Sequence, residues 1–301
     1  MNVLNVGSLN IDCVYRVPHI VAPGETLASS AFSLSAGGKG ANQSVALAKA
    51  GMDVSHAGRV GTDGAWLVEK LDRAAVDTEW IRVDPEGKTG HALIQVDDQG
   101  ENAIILFPGT NQQLDLEELN AALSQAPRKD IGAVLLQNET NGVGHIIEQA
   151  HRQGLRVCFN PAPASGELRD LPLECVDVLI LNRIEGQCLA GGGADADDAI
   201  LRELAARMPD AEIVLTLGAE GALHAKEGRV TRAGAVTVDA VDTTAAGDTF
   251  VGYFLAERLN GGSPEDALQA ACRAAAACVT RQGAMDTIPH HNDIQPGEAT
   301  S

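Results

Sequence analysis

The sequence predicts an α/β protein whose mostly parallel central sheet is covered by helices on both faces, with a small β-sheet lid. Three observations carry that reading. Short, continuous apolar runs alternate with stretches of helical periodicity, as in a parallel sheet buried on both sides. A length of 301 residues with 45% hydrophobic content suits one large domain with at most a small appendage. Polar or glycine-rich residues follow the apolar runs repeatedly, at the strand ends where open α/β sheets bind ligands.

The elements follow in order. Residues 2–9 (NVLNVGSL) read as a buried first strand, and later strands are expected at 54–60, 131–137, 155–160, 177–181 and 212–217. Helical spacing marks 41–51, 64–75, 115–124, 143–153 and 195–208, and two long helices at about 247–260 and 264–281 close the chain. Two segments break the alternation: 11–36 holds short strands around a PGE turn, and 88–107 reads as a hairpin with DDQGE as its turn. These two are expected to pair as a separate lid sheet over the strand ends; the alternative is that they extend the main sheet at its edge. The domain division is therefore a core of 1–10, 37–87 and 108–290, a lid of 11–36 and 88–107, and a polar, frayed tail at 291–301.

Composition narrows the function. The net charge of −19 repels nucleic acid and anionic membranes. No apolar segment approaches the ~18 residues of a membrane span, and the N-terminus has no signal-peptide pattern, so a cytoplasmic location is expected. The six cysteines form no C-x-x-C pair and are expected as buried free thiols. Aromatics are only 3%, so the core must be built from Ala, Val, Leu and Ile.

The stretch VDTTAAGDTF (241–250) places Ala245-Ala246-Gly247 directly before Asp248 at a helix start. Asp248 there suits a simple helix cap. Bare amides at a helix N-terminus also bind phosphate, and a carboxylate beside them can take a proton from a hydroxyl that attacks it. In GSLNID (7–12), Asn10 and Asp12 point the same way on an extended chain and suit vicinal hydroxyls, or form a turn. GGKGANQS (37–44) is a glycine-rich loop before a helix, with Lys39 and Asn42 as polar donors; it is not a P-loop. LLQNET, FNPAPA, LNRIEG and LTLGAEG each put polar or turn residues at a strand end, including Glu139, Asn182, Glu185 and Thr216. No Rossmann glycine fingerprint, His/Cys metal spacing or G-x-S-x-G elbow is present.

Assembled, GGKGAN at 37–42 and DTTAAGD at 242–248 resemble the two signatures of the ribokinase family, the PfkB carbohydrate kinases, over about residues 1–290. The SLNID, PGET, NPAPA and VTRQGA segments strengthen the likeness. The resemblance implies that Asp248 is the base deprotonating a sugar's primary hydroxyl, with the amides of Ala245, Ala246 and Gly247 as anion hole. It implies sugar contacts from Asn10, Asp12, Gly38, Lys39, Asn42 and Glu139. Asn182, the turn Thr216-Leu217-Gly218-Ala219-Glu220-Gly221 and Cys272 would border ATP, with Glu185 placing Mg²⁺ through water. A monovalent cation, usually K⁺, would take Asp242, the carbonyls of Thr244, Cys278, Arg281 and Gly283, and the Thr287 hydroxyl. The lid would pair with a second subunit to make a homodimer. Departures from the family pattern are Tyr253, Leu181 and Cys272.

The expected substrate is D-ribose, phosphorylated at its 5-hydroxyl. Only Lys39 among the expected sugar ligands is basic, so a sugar that already carries phosphate lacks a clamp. A nucleoside kinase or another PfkB sugar kinase is the alternative; a nucleoside kinase would need a platform for the base, from Phe32, His91 or Phe107. A non-catalytic sugar or nucleotide sensor is the alternative outside enzymes, although a pure binder has no use for Asp248.

Overall fold

The computed structural model describes residues 1–191 and 196–294. β1 (Asn2–Val6) leads through Gly7-Ser8-Leu9 into β2 (Asn10–Arg16), then β3 (Ala31–Gly37), α1 (Lys39–Lys49), β4 (Val54–Gly61), α2 (Ala65–Arg73) and β5 (Val76–Asp84). β6 (Gly90–Val96) and β7 (Asn102–Phe107) precede α3 (Leu116–Ser124), β8 (Ile131–Gln137), α4 (Val143–Arg152), β9 (Arg156–Asn160), β10 (Val178–Asn182), α5 (Arg183–Ala190) and α6 (Asp197–Arg207). The chain ends with β11 (Glu212–Thr216), β12 (Ala222–Lys226), β13 (Arg229–Ala233), α7 (Ala246–Leu259) and α8 (Pro264–Val279).

Among the described residues, nine strands form the main sheet in the order β13-β12-β11-β10-β9-β8-β1-β4-β5. Neighbours from β11 to β5 are parallel, and β12 and β13 add an antiparallel edge. Period-two alternation splits each central strand between two cores. Val3, Leu135 and Ile180 pack with α1, α2, α7 and α8, whereas Leu4, Leu136 and Leu181 pack with α3, α4 and α6. α7 is buried around most of its circumference, as its apolar run requires. Tyr253 fits inside it because its hydroxyl donates to the Pro289 carbonyl at 2.7 Å.

The two segments that interrupt the alternation form a second sheet, β3-β2-β6-β7, rather than an edge of the first. β2 and β6, distant in the chain, run parallel from Asn10↔Gly90 to Arg16↔Val96. All six cysteines are free thiols; Cys158, Cys272 and Cys278 are buried and the others half-buried. Within the described residues no helix is long and apolar enough to cross a membrane. Of the expected polar tail, His291–Ile294 makes a 3-10 turn that buries Ile294; residues 295–301, and position 195 of the expected helix at 195–208, lie outside the described residues.

Candidate active site

Chain order reverses around β1, whose neighbours are β4 and β8, and ligands bind at such switch points. The five polar strand ends read from sequence belong to β1, β8, β9, β10 and β11, which are consecutive in the sheet and parallel. Their ends therefore form one rim, carrying Ser8, Glu139, Asn160, Asn182 and Thr216. Two helices start on that rim. α1 begins behind Gly38 and presses close to β1: a Cβ on Gly40 would fall 2.4 Å from the Ser8 nitrogen. α7 begins behind Ala245, which holds the left-handed φ of 61°; such a backbone costs an alanine about 1–2 kcal/mol.

A cleft of about 480 Å³ opens above the rim, walled by Asn10, Asp12, Ala92, Ile94, Ile104 and Leu106 of the lid. From the core it takes Gly38, Lys39, Asn42, Glu139, Asn182, Glu185 and Asp248. A second chamber of about 410 Å³ lies beside it, lined by Gly218, Ala219, Gly221, Val236, Phe250 and Cys272. The two share Thr216, Thr243 and Gly247. A ligand spanning both chambers would therefore pass over the start of α7.

At that start, a Cβ on Gly247 would meet nothing within 4 Å, so the space above it is open to a ligand. Among the described residues no carbonyl is hydrogen bonded to the amides of Ala245 or Gly247. The Ala246 amide departs from the expectation of three bare donors, because the turn directs it to the Thr243 carbonyl at 3.3 Å. Asp248 is buried and held from α1: Asn42 Nδ2 donates to Oδ2 at 2.9 Å and Gln43 Nε2 to Oδ1 at 2.9 Å. Asn42 Oδ1 is buried without a partner, an acceptor suited to a ligand hydroxyl.

The charges here are coupled. Burial, with Glu139 and Asp248 nearby, pushes the Asp12 carboxyl up to about 7. Glu139 is also raised, mainly by burial, against the pull of Lys39, the Ser8 hydroxyl and the Lys39 amide, both of which donate to Oε2. Lys39 is raised, foremost by Asp248, with burial opposing. Burial raises Glu185 as well. Several carboxylates around one lysine favour a neutral ligand with donor hydroxyls over an anion.

Glu185 closes a capping box on α5: Oε2 accepts from the Asn182 amide and Oε1 from Asn182 Nδ2, each at 2.9 Å. With both oxygens so engaged, Glu185 fits an ion reached through water better than a direct ligand. Asp242 ties two loops together, accepting from the Thr244 amide at 2.9 Å and the Gly283 amide at 3.0 Å. Burial opposes it, but these bonds and the Thr244 hydroxyl hold the Asp242 carboxyl below its ordinary value. Cys278 Sγ lies 3.1 Å from Thr287 Oγ1 and 3.8 Å from the Thr244 carbonyl, and the exposed Arg281 is tied by its amide to the Cys278 carbonyl at 3.4 Å. One carboxylate among neutral carbonyl and hydroxyl oxygens suits a weakly charged hard cation.

Other expected residues fall elsewhere. Leu217 and Glu220 line neither chamber: the turn buries Leu217 and sends Glu220 outward to Arg183 at 2.6 Å. Phe32, His91 and Phe107, read as the platform for a base, lie on the lid face away from the cleft: His91 and Phe107 pair with each other and alternate with the cleft-lining Ala92 and Leu106, and Phe32 pairs with Tyr15 on the face opposite Asp12. Sequence reading missed Gln43, Asn160 and Asn111, whose Nδ2 donates to Asn10 Oδ1 at 2.7 Å. Gln43 stands in the glycine-loop motif and Asn160 in FNPAPA; Asn111 carried no signal.

Comparison with known proteins identifies the family and the fold. Residues 1–291 match the model of the pfkB family carbohydrate kinases. A ribokinase of Haemophilus influenzae is 35% identical over 289 residues, 94% of each chain. A deoxyribokinase of Salmonella typhi is 32% identical over 295 residues, covering 96% of both. The structure of Arabidopsis thaliana ribokinase complexed with ribose and ATP superposes with a TM-score of 0.85 at 27% identity, over 97% of each chain. The signatures, the two-sheet fold and a family match over nearly the whole chain lead to one conclusion: this chain belongs to the pfkB family of carbohydrate kinases, phosphotransferases with an alcohol group as acceptor.

Proposed function

We propose that this protein transfers the γ-phosphoryl group of ATP to the 5-hydroxyl of D-ribose. The observation that carries the reading is the position of Asp248, on the cleft wall beside the open start of α7 and opposite the hydroxyl-binding groups of the lid. Asn10, Asp12, Gly38, Lys39, Asn42 and Glu139 hold the sugar. Asp248 accepts the proton of the primary hydroxyl as its oxygen attacks the γ-phosphorus and the bond to the ADP oxygen breaks. The amides of Ala245 and Gly247, aided by Ala246, receive the charge on the transferring group; one such donor is worth about 3 kcal/mol. ATP lies along the second chamber, over the turn at Thr216, Gly218, Ala219 and Gly221 and beside Cys272. Glu185 would hold Mg²⁺ through water, and the ion would supply positive charge to the transferring phosphates. Asp242, Thr244, Cys278, Arg281, Gly283 and Thr287 would hold K⁺, which would supply further positive field to the helix start.

Among the described residues Lys39 is the only basic one lining the cleft, which favours ribose over a phosphorylated sugar. Among them, too, the lid wall is aliphatic, with Ile94, Ile104 and Leu106 and no aromatic ring, which favours ribose over a nucleoside. The active unit is a homodimer joined through the outer lid face, where Phe32, Leu34, Leu93, Ile105 and Phe107 are exposed.

ADP release should be measured with ribose, deoxyribose, fructose and inosine, each with Mg²⁺ and K⁺. Ribose should give the highest kcat/KM, and Asp248→Asn should lower its kcat by about 10²–10⁴-fold with ribose binding retained in calorimetry. Preference for inosine, or undiminished turnover in Asp248→Asn, would overturn the reading.

A further inference from the structure

Beneath the cleft, a run of buried polar side chains leads away from Asp248, an unusual feature for the middle of an apolar core. Gln43, Gln137, Asn5, Ser44 and His56 are all buried, at 0–1% exposure. Gln43 Nε2 donates to Asp248 Oδ1 and to Asn160 Oδ1, each at 2.9 Å, and its Oε1 accepts from Gln137 Nε2 at 2.7 Å. Gln137 Nε2 also donates to Asn5 Oδ1 at 3.0 Å; Asn5 Nδ2 donates to the Gly40 carbonyl at 2.7 Å and to Ser44 Oγ at 2.8 Å. Ser44 Oγ meets His56 Nδ1 at 2.8 Å, and His56 Nε2 lies 3.2 Å from the Gly7 carbonyl.

The direction of every amide is fixed by groups that can only accept. Asn160 Nδ2 donates to the Ile180 carbonyl at 2.8 Å, so its oxygen must face Gln43. The Gly40 carbonyl likewise turns the Asn5 oxygen toward Gln137. Gln43 therefore has to present its NH₂ to two oxygens, one of them on Asp248, and its carbonyl to Gln137. At the far end the Gly7 carbonyl requires a proton on His56 Nε2, so Nδ1 accepts from Ser44, and burial lowers the His56 pKa to about 4 and keeps the ring neutral. Gln137 Oε1 is left buried without a partner, a penalty of about 1–3 kcal/mol that a network serving stability alone would gain by shedding.

We propose that Gln43 is a positioning residue for phosphoryl transfer, fixing the rotamer of Asp248 through a network anchored on β1, β8 and β9. This rests on the reading of Asp248 as the base. Gln43 does not line the cleft, so its role runs through Asp248. With its two hydrogens shared between Asp248 and Asn160, it allows Oδ1 one orientation, while Oδ2 accepts from Asn42.

The test is a double-mutant cycle of Gln43→Met and Asp248→Asn in the full chain, with kcat, KM for ribose and ATP, ribose binding by calorimetry, and Tm. Gln43→Met should lower kcat by on the order of 10²-fold, as misplacement of a reacting group does, with both KM values and ribose affinity within about threefold. In the Asp248→Asn background it should lower kcat no further. An unchanged kcat in Gln43→Met, or an equal loss in both backgrounds, would overturn the proposal. If Gln43→Met does not fold, Gln137→Met releases the Gln43 carbonyl from a residue outside the cleft. It should lower kcat about tenfold at unchanged KM, and a wild-type kcat there would overturn the proposal equally. Loss of turnover in Asp248→Asn with normal turnover in Gln43→Met leaves the kinase reading standing and removes only this one. Absence of turnover with every sugar removes the reading itself.

Discussion

Gly252 of α7 lies against Ala46 of α1 so closely that a Cβ on the glycine would fall 2.4 Å from the Ala46 methyl and 2.8 Å from the Leu47 nitrogen. The same helix pair carries the donors to Asp248, since Asn42 and Gln43 reach across from α1. Gly252→Ala must therefore push the helices apart. It should destabilise the protein by about 1–3 kcal/mol in chemical denaturation and lower kcat further than the stability loss accounts for. Full activity in the folded variant would show that the spacing of α1 and α7 does not govern Asp248.

Asp12 titrates near neutrality. Its folded pKa of about 7 lies above the ordinary 3.8, so the folded state binds the extra proton between those values and stability falls as pH rises from about 4 to 7. Asp12→Asn should raise the Tm of the ligand-free protein at pH 8, with the gain gone near pH 4. Ionised Asp12 is the better hydroxyl acceptor. The wild-type KM for ribose should therefore rise as pH drops through about 7, and Asp12→Asn should flatten that limb of the profile.

Asp242 joins the loop before α7 to the turn after α8 through bonds to Thr244 and Gly283. Replacing K⁺ by a bulky organic cation should lower kcat several-fold, and Asp242→Ala should abolish the difference between the two salts. Equal wild-type rates in both would remove the cation from the mechanism.

Ile105, 66% exposed, sits on the outer lid face with Leu93 directly opposite in register. Contiguous exposed apolar surface of this kind marks an association site. Light scattering should give a dimer for the wild-type chain and a monomer for Ile105→Lys. A wild-type monomer at micromolar concentration would exclude the lid-to-lid assembly.

Much of the site was legible because its backbone demands particular residues. The amides before Asp248 need small neighbours, and Gly40 has to admit Ser8, so both signatures stand out in the sequence. Five polar strand ends could be read one by one; that they are consecutive in the sheet could not. The contact between Gln43 and Asp248 spans 205 positions, and nothing local announces it. β5 was missed because an edge strand need not be continuously apolar, and Glu79 and Arg82 interrupt it. The β12–β13 hairpin was missed although Glu227 and Gly228, both with positive φ, form its two-residue turn. α5 escaped because its cap, Asn182, is also the last residue of β10.

Asn10 and Asp12 belong to the same strand that builds the lid, while Asn42 and Asp248 belong to the body beneath. On the proposed reading, a sugar held by both would be latch as well as cargo, bridging cover and base as a lone water is too short to do, so ATP hydrolysis without sugar should be slow.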